Sequence, residues 1–166
     1  MMETNRLLLT QATPEDIETI MTFEQDPDNR KFVFRGTYEE HLREIDDPNV
    51  GIYVVRKKES QQAIGFLIYD LDLESERFEL RRVAISEKNQ GFGRELFNRV
   101  FKHAFEELHM NKLWLDVYHD NEVGIHFYES LGMVREGVLR QNHKEDRGMM
   151  DQIIYSVLKD EYFEKK

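Results

Sequence analysis

The chain reads as an α/β (α+β) domain built on a mixed, largely antiparallel central sheet of about seven strands flanked by about four helices. Three observations predict this. Strand-like runs at 51–56, 63–71 and 77–85 are separated only by short polar turns, a spacing that favours an antiparallel meander. Phe92, Leu96, Phe97, Val100, Phe101, Ala104, Phe105 and Leu108 then recur on helical spacing and mark a strong amphipathic helix. After it the pattern returns to strand, helix and two closing strands, which places helices on the faces of a single sheet.

The elements follow in order. Residues 6–10 form the first strand. Thr13-Pro14-Glu15-Asp16 opens a helix, with Thr13 as N-cap, Pro14 at the first helical position and acids in the first turn. Residues 32–36 read as a loop, and Thr37-Tyr38-Glu39-Glu40 is a second capping pattern that starts a short helix towards Ile45. The meander strands are joined by polar turns at 57–62 and 72–76. Beyond the long helix, residues 112–118 (KLWLDVY) form a strand, and the helix at 122–131 stops at Gly132, a C-cap glycine. Residues 133–139 and 151–158 are the closing strands, joined by a charged loop at 140–148.

Composition narrows the function classes. A length of 166 residues, without linker or repeat, fits one domain spanning 1–166. No run approaches the ~18 apolar residues of a membrane span. The N-terminus also lacks the long apolar core and cleavage site of a signal peptide, so a cytoplasmic protein without a membrane partner is expected. With no cysteine, disulfides, thiolate zinc sites and a cysteine nucleophile are excluded. The net charge of −10 carries no basic patch, so no nucleic-acid partner is expected. Such a surface serves solubility and also attracts cations, protonated amines among them.

The most informative segment is Lys88-Asn89-Gln90-Gly91-Phe92-Gly93-Arg94, which follows a strand and opens a helix. Glycines let the backbone approach a ligand closely. The first amides of a helix have no partner within it, and the dipole adds roughly half a positive charge there. Together these suit an anion such as a pyrophosphate, with Lys88 and Arg94 beside it. A plain strand-to-helix turn is the simpler reading of the same residues. A P-loop is not matched, because Gly93-Arg94-Glu95 stands where Gly-Lys-Ser/Thr is needed. Nor is a dinucleotide fingerprint, because Leu96 stands at the third glycine.

Two segments together resemble a known family. Lys88-Asn89-Gln90-Gly91-Phe92-Gly93 resembles the Gln/Arg-x-x-Gly-x-Gly/Ala acetyl-CoA loop of GNAT (GCN5-related) N-acetyltransferases. The segment from Asn121 through Gly124, Tyr128 and Gly132 to Met133 resembles that superfamily's Asn-x-x-Ala-x-x-x-Tyr-x-x-x-Gly-Phe segment. The pattern is similar to the bacterial ribosomal-protein and spermidine N-acetyltransferase branch, over about residues 63–158. Lys88, Gly124 and Met133 depart from the preferred residues, and the stretch after Ile85 is about two residues short.

The resemblance implies a transfer of acetyl from acetyl-CoA to a primary amine of a small molecule or a protein N-terminus. Backbone groups near Val83, Ala84 and Ile85 are then expected to hold pantetheine. The amides of Asn89, Gln90, Gly91, Phe92, Gly93 and Arg94 are expected to hold pyrophosphate next to Lys88. Asn121 either binds the coenzyme or caps the helix that it precedes. The reaction needs the amine deprotonated from a pKa near ~10 and the leaving thiolate protonated. With no cysteine to carry the acetyl group, direct attack in a ternary complex is expected. By resemblance Tyr128 is the general acid that protonates the coenzyme sulfur; on packing grounds alone it is a core aromatic. Glu79 is the candidate base, or else a salt-bridge partner of Arg81 or Arg82. An amide near Ile85 is a plausible oxyanion donor, and His119 is a further candidate base. His126 reads as structural, and no metal is expected without a His-Glu-x-x-His pattern. The acceptor is expected to be read by residues 32–38, the segment around His119 and the 140–148 loop. A homodimer is also expected. The alternative is a non-catalytic acyl-CoA sensor on the same fold.

Overall fold

The computed structural model describes residues 1–27 and 36–166. Its sheet has eight strands among these residues, in the order β1-β2-β3-β4-β5-β6-β8-β7. They are β1 Met2–Glu3, β2 Leu7–Gln11, β3 Val50–Lys57, β4 Ala63–Asp72, β5 Arg77–Ile85, β6 Lys112–Tyr118, β7 Val134–Glu145 and β8 Gly148–Leu158. Every neighbouring pair is antiparallel except β5 and β6. The helices are α1 Ile17–Gln25, α2 Tyr38–Asp46, α3 Phe92–Lys102, α4 Glu122–Ser130 and α5 Lys159–Glu164. The expected meander is β3 to β5, and the strand at 112–118 has the predicted bounds. Two elements exceed the expectation. The two-residue β1 is too short to carry a period, and α5 is a single turn and a half at the end of the chain.

The two faces of the sheet are covered differently. On one face α3, with Phe92, Leu96, Phe97, Val100 and Phe101, packs on Leu67, Phe78, Leu80, Leu113, Leu115 and Tyr155. Ile125, Phe127 and Tyr128 of α4 and Tyr162 of α5 complete this cluster. On the other face α1 and α2 cover a smaller cluster, in which Ile20 and Phe23 of α1 meet Ile52, Val54, Phe66 and Ile68.

The local signals explain the helix ends. Thr37 accepts from the Glu40 amide at 3.2 Å and the Glu40 carboxylate accepts from the Thr37 amide at 2.9 Å, the capping box expected there. Gly132 closes α4 with φ +81°, and the Met133 amide returns to the Tyr128 carbonyl at 3.2 Å.

One expectation is corrected. The sequence predicts a charged loop at 140–148, but β7 runs on to Glu145 and pairs with β8 down to Glu145↔Gly148. Register shifts between Arg135 and Gly137 and between Leu139 and His143, and a tight turn before Gly148, at φ +108°, interrupt the hairpin. The charges that resemble a loop in the sequence belong to an edge strand exposed along most of its length, where polar side chains keep the open edge from pairing with other chains.

Candidate active site

The sheet splits in the middle. β5 and β6 pair only at Arg77↔Lys112, Phe78↔Leu113 and Glu79↔Trp114. β5 then follows β4 as far as Gly65↔Ile85, whereas β6 follows β8 as far as Tyr118↔Gln152. The cause lies in β5: its register against β4 shifts between Tyr69↔Leu80 and Ile68↔Arg82, so Arg81 is an extra residue. A bulge of this kind bends its strand and increases the twist. The result is a cleft of about 370 Å³ between the diverging strands. Leu80 and Val83 line one wall, Leu115, Asp116 and Tyr118 the other. In an antiparallel strand alternate backbone groups face away from the paired neighbour, so along Val83, Ala84 and Ile85 half of them point into this gap.

The glycine-containing loop lies at the end of β5. Asn89 has φ +60° and Gly91 φ +79°, so the chain turns left-handed twice before α3. Gly91 is the N-cap, and no side chain caps the helix; the first amide with an internal acceptor is Glu95, bonded to the Gly91 carbonyl at 3.1 Å. The amides of Phe92, Gly93 and Arg94 therefore point out of the helix end, the arrangement an anion needs. Arg6 shapes this turn, a role that the sequence does not show. It donates to the Gln90 carbonyl at 3.0 Å, pairs with Glu95 at 2.7 Å and lies 4.4 Å over the Phe92 ring. A side chain on Gly91 would come within 3.3 Å of the Arg6 guanidinium. Gly93 faces the Phe127 ring of α4, which a Cβ there would meet at an ordinary contact distance of 3.4 Å. Arg94 is tied to Ser130 at 2.8 Å. Lys88 is exposed beside the loop.

Asn121 is the N-cap of α4, its side-chain oxygen accepting from the Gly124 amide at 3.0 Å. A Cβ at Gly124 would lie 2.7 Å from the Asn121 amide nitrogen, so the cap sits directly against this glycine. The cap places Tyr128 two turns on. Its ring packs among Phe97, Phe127 and Tyr155, and the residue lines the cleft. Burial, with a smaller contribution from the negative Asp116, pushes the Tyr128 hydroxyl up to about 12, so it holds its proton at neutral pH.

Asp116 is the residue that the sequence reading overlooks. It lies on the same wall, where Gln152 of β8 donates to it at 3.1 Å. Burial raises its carboxyl above the ordinary range, although His143 partly opposes the shift. Glu79 pairs with Asp70 and Trp114 at the apex of the split, beside the cleft lining. It is raised too, first by burial and then by Asp70 and Asp116. His119 follows the end of β6 with its side chain exposed, outside the cleft lining, and His126 is exposed on α4. The β7–β8 hairpin supplies the outer wall through His143 and Gln152. Arg147 holds that hairpin to the end of β6 by pairing with Asp120. An alternating polar residue such as Asp116 in LWLDVY was the available signal: a carboxylate on an otherwise apolar central strand needs a reason.

Comparison with known proteins agrees with this geometry. The family model described as acetyltransferase (GNAT) domain matches residues 6–134. An uncharacterized N-acetyltransferase of Bacillus subtilis is 26% identical over 95% of this chain and 96% of its own length. A spermidine N(1)-acetyltransferase of Vibrio cholerae is 37% identical over 34% of this chain and 33% of its own length. Among solved structures, a Vibrio cholerae spermidine N-acetyltransferase in complex with CoA and spermine superposes with a TM-score of 0.84 at 21% identity, over 96% of this chain and 99% of that one. A dodecameric form of the Vibrio cholerae enzyme gives 0.82 at 22% identity, over 98% and 99%. The chain belongs to the GNAT acetyltransferase family and is an acetyl-CoA-dependent N-acetyltransferase.

Proposed function

We propose that the split between β5 and β6 is where acetyl-CoA and the acceptor amine meet, and that transfer is a direct attack in a ternary complex. The observation that carries this reading is the cleft itself, lined by the protonated Tyr128 and the carboxyl of Asp116, with Glu79 beside the lining at the apex of the split. The gap-facing backbone of Val83, Ala84 and Ile85 holds the pantetheine arm. The amides from Asn89 to Arg94, with Gln90, Gly91, Phe92 and Gly93 between them, hold the pyrophosphate, and Lys88 adds charge. The Asn121 side chain still has its amide N–H groups to offer the coenzyme, since its oxygen makes the cap. Glu79 takes the ammonium proton, directly or through a water; Asp116 flanks it, and His119 at the outer end of β6 is the alternative acceptor. Tyr128 gives its proton to the departing thiolate. None of these roles calls for a metal.

For the acceptor we infer a primary alkyl amine, on a small molecule or a protein N-terminus. The net charge of −10 and the acidic groups at the cleft support a cationic amine, as do the spermidine acetyltransferases among the relatives. A cytoplasmic setting belongs to the same reading; no helix among the described residues is long and apolar enough to cross a membrane. So does self-association, for which the exposed Val134, Val138 and Leu139 side chains on the face of β7 offer apolar surface, rather than its polar open edge. The test is release of free CoA thiol from acetyl-CoA across a panel of amines. Amine-dependent release supports the reading; tight acetyl-CoA binding with no release from any amine would favour the sensor.

A further inference from the structure

The α1–α2 side of the sheet contains a chain of charges that the reaction as described does not use. His41 of α2 is fully buried, and both its ring nitrogens face carboxylates. Nδ1 is 2.9 Å from Glu44 of α2, and Nε2 is 2.7 Å from Glu24 of α1. A neutral imidazole has one N–H and would turn its other lone pair against a carboxylate oxygen; only the doubly protonated ring satisfies both contacts. Each carboxylate then reaches an arginine of β5. Glu24 accepts from Arg82 at 3.0 Å, and also from the Gly36 amide at 3.1 Å. Glu44 accepts from Arg81, which also bonds Asp70 of β4 at 3.1 Å. Arg81 and Arg82 are adjacent in the chain and would point to opposite faces of a regular strand. The bulge at Arg81 sends both to the same face, and both line the cleft.

We propose that His41 is a positioning residue held charged at neutral pH, an imidazolium that fixes the acceptor-side wall of the cleft through Glu24–Arg82 and Glu44–Arg81. The argument is electrostatic. Three buried or half-buried cations, His41, Arg81 and Arg82, alternate with the three carboxylates Glu24, Glu44 and Asp70. Removing the central charge leaves two carboxylates facing each other across a dry gap. Each is then less firmly held against its arginine, and the β5 wall loses its fixed geometry. Gly36 is part of the fit, because a Cβ there would lie 2.7 Å from the His41 ring. Burial opposes the charge on His41, but the hydrogen bonds to Glu24 and Glu44 outweigh it and raise the ring to about 9. Among the described residues the groups facing it are Glu24 from α1, Glu44 from its own helix and, through them, Arg82 and Arg81 from β5 and Asp70 from β4.

This inference rests on the acceptor entering beside β5, and its test separates the two. Nitrogen NMR of the whole protein reads the His41 ring directly. The expected result is both nitrogens protonated at neutral pH, with the Arg81 and Arg82 Nε signals shifting as the ring titrates near 9. A neutral ring at neutral pH, or arginine signals indifferent to that titration, would overturn the proposal. Kinetics of His41→Gln supply the functional readout, with Glu24→Gln as a second variant. The acceptor KM should rise about tenfold, while the acetyl-CoA KM stays within about twofold and kcat falls less than the acceptor KM rises. An unchanged acceptor KM in a folded variant would also overturn it. If instead the wild type releases no CoA with any amine, the functional reading fails, while the NMR result still decides the charge on His41.

Discussion

The two faces of the sheet solve different problems. The face under α3 and α4 is hydrocarbon: Phe97 lies 6.0 Å from Phe101, 5.3 Å from Phe127 and 5.7 Å from Tyr128, ring to ring. The face under α1 and α2 buries Glu24, His41 and Arg82 beside its smaller apolar cluster. Aromatic packing tolerates no slack and holds the glycine turn and Tyr128 in place. A buried ionic chain contributes little net stability but is sensitive to the loss of any member. The difference teaches a division of labour. In the proposed reading the apolar face presents the part of the reaction common to the family, the coenzyme, and the charged face shapes what is particular to this chain, the acceptor side.

Substitutions can break or sharpen this contrast. The largest effect is expected at Tyr128. Tyr128→Phe keeps the ring packing and should lower kcat by about 100-fold while leaving the acetyl-CoA KM nearly unchanged; stopped-flow and steady-state assays would show both, and undiminished turnover would remove Tyr128 from the chemistry. Next is Gly91→Val, which places a β-branched residue at φ +79° and against Arg6. Coenzyme binding by titration calorimetry should weaken by about tenfold or more, because such backbone strain costs on the order of 1–3 kcal/mol.

A smaller change is expected in the pH profile. Glu79 and Asp116 both titrate above the ordinary carboxylate range. Wild-type kcat/KM should therefore fall on acidification at a higher pH than a surface carboxylate would dictate. Glu79→Gln should remove most of that acidic limb and Asp116→Asn should shift it downward; an identical profile in both variants would move the proton acceptor to His119 or bulk water. The smallest effect concerns stability. The folded-state value for His41, about 9, lies above the ordinary imidazole value of 6.5. Its charge therefore stabilises the fold fully below pH 6.5, and that contribution is lost as pH rises through about 9. Wild type and His41→Gln should differ most in melting temperature at the acidic end and converge on the alkaline side, which thermal melts across pH would show.

The proposed coenzyme side was legible in the sequence because its signals are local. A glycine pair between a strand and an apolar helix, and an Asn-to-Tyr spacing on the next helix, need only short stretches of chain to be recognised. The acceptor side is not local. Glu24, His41 and Arg82 lie far apart in sequence, and their meeting depends on α1, α2 and β5 converging. The bulge that turns Arg81 and Arg82 the same way exists only in the pairing with β4. His143 was hidden for a related reason. A run of charged residues on a doubly exposed edge strand has the composition of a loop, and its pairing with Met150 shows only in the folded hairpin. Asp116 was visible but read as part of an ordinary strand. The expected acceptor-reading segment at 32–38 lies outside the described residues except for 36–38.

The most direct test of the account is a crystal structure of the protein with coenzyme A. The account predicts the pyrophosphate within hydrogen-bonding distance of the amides from Gly91 to Arg94 and the sulfur beside the Tyr128 hydroxyl, in the gap between β5 and β6. Coenzyme bound anywhere else, or a gap closed by β5 pairing with β6 beyond Glu79 and Trp114, would contradict it.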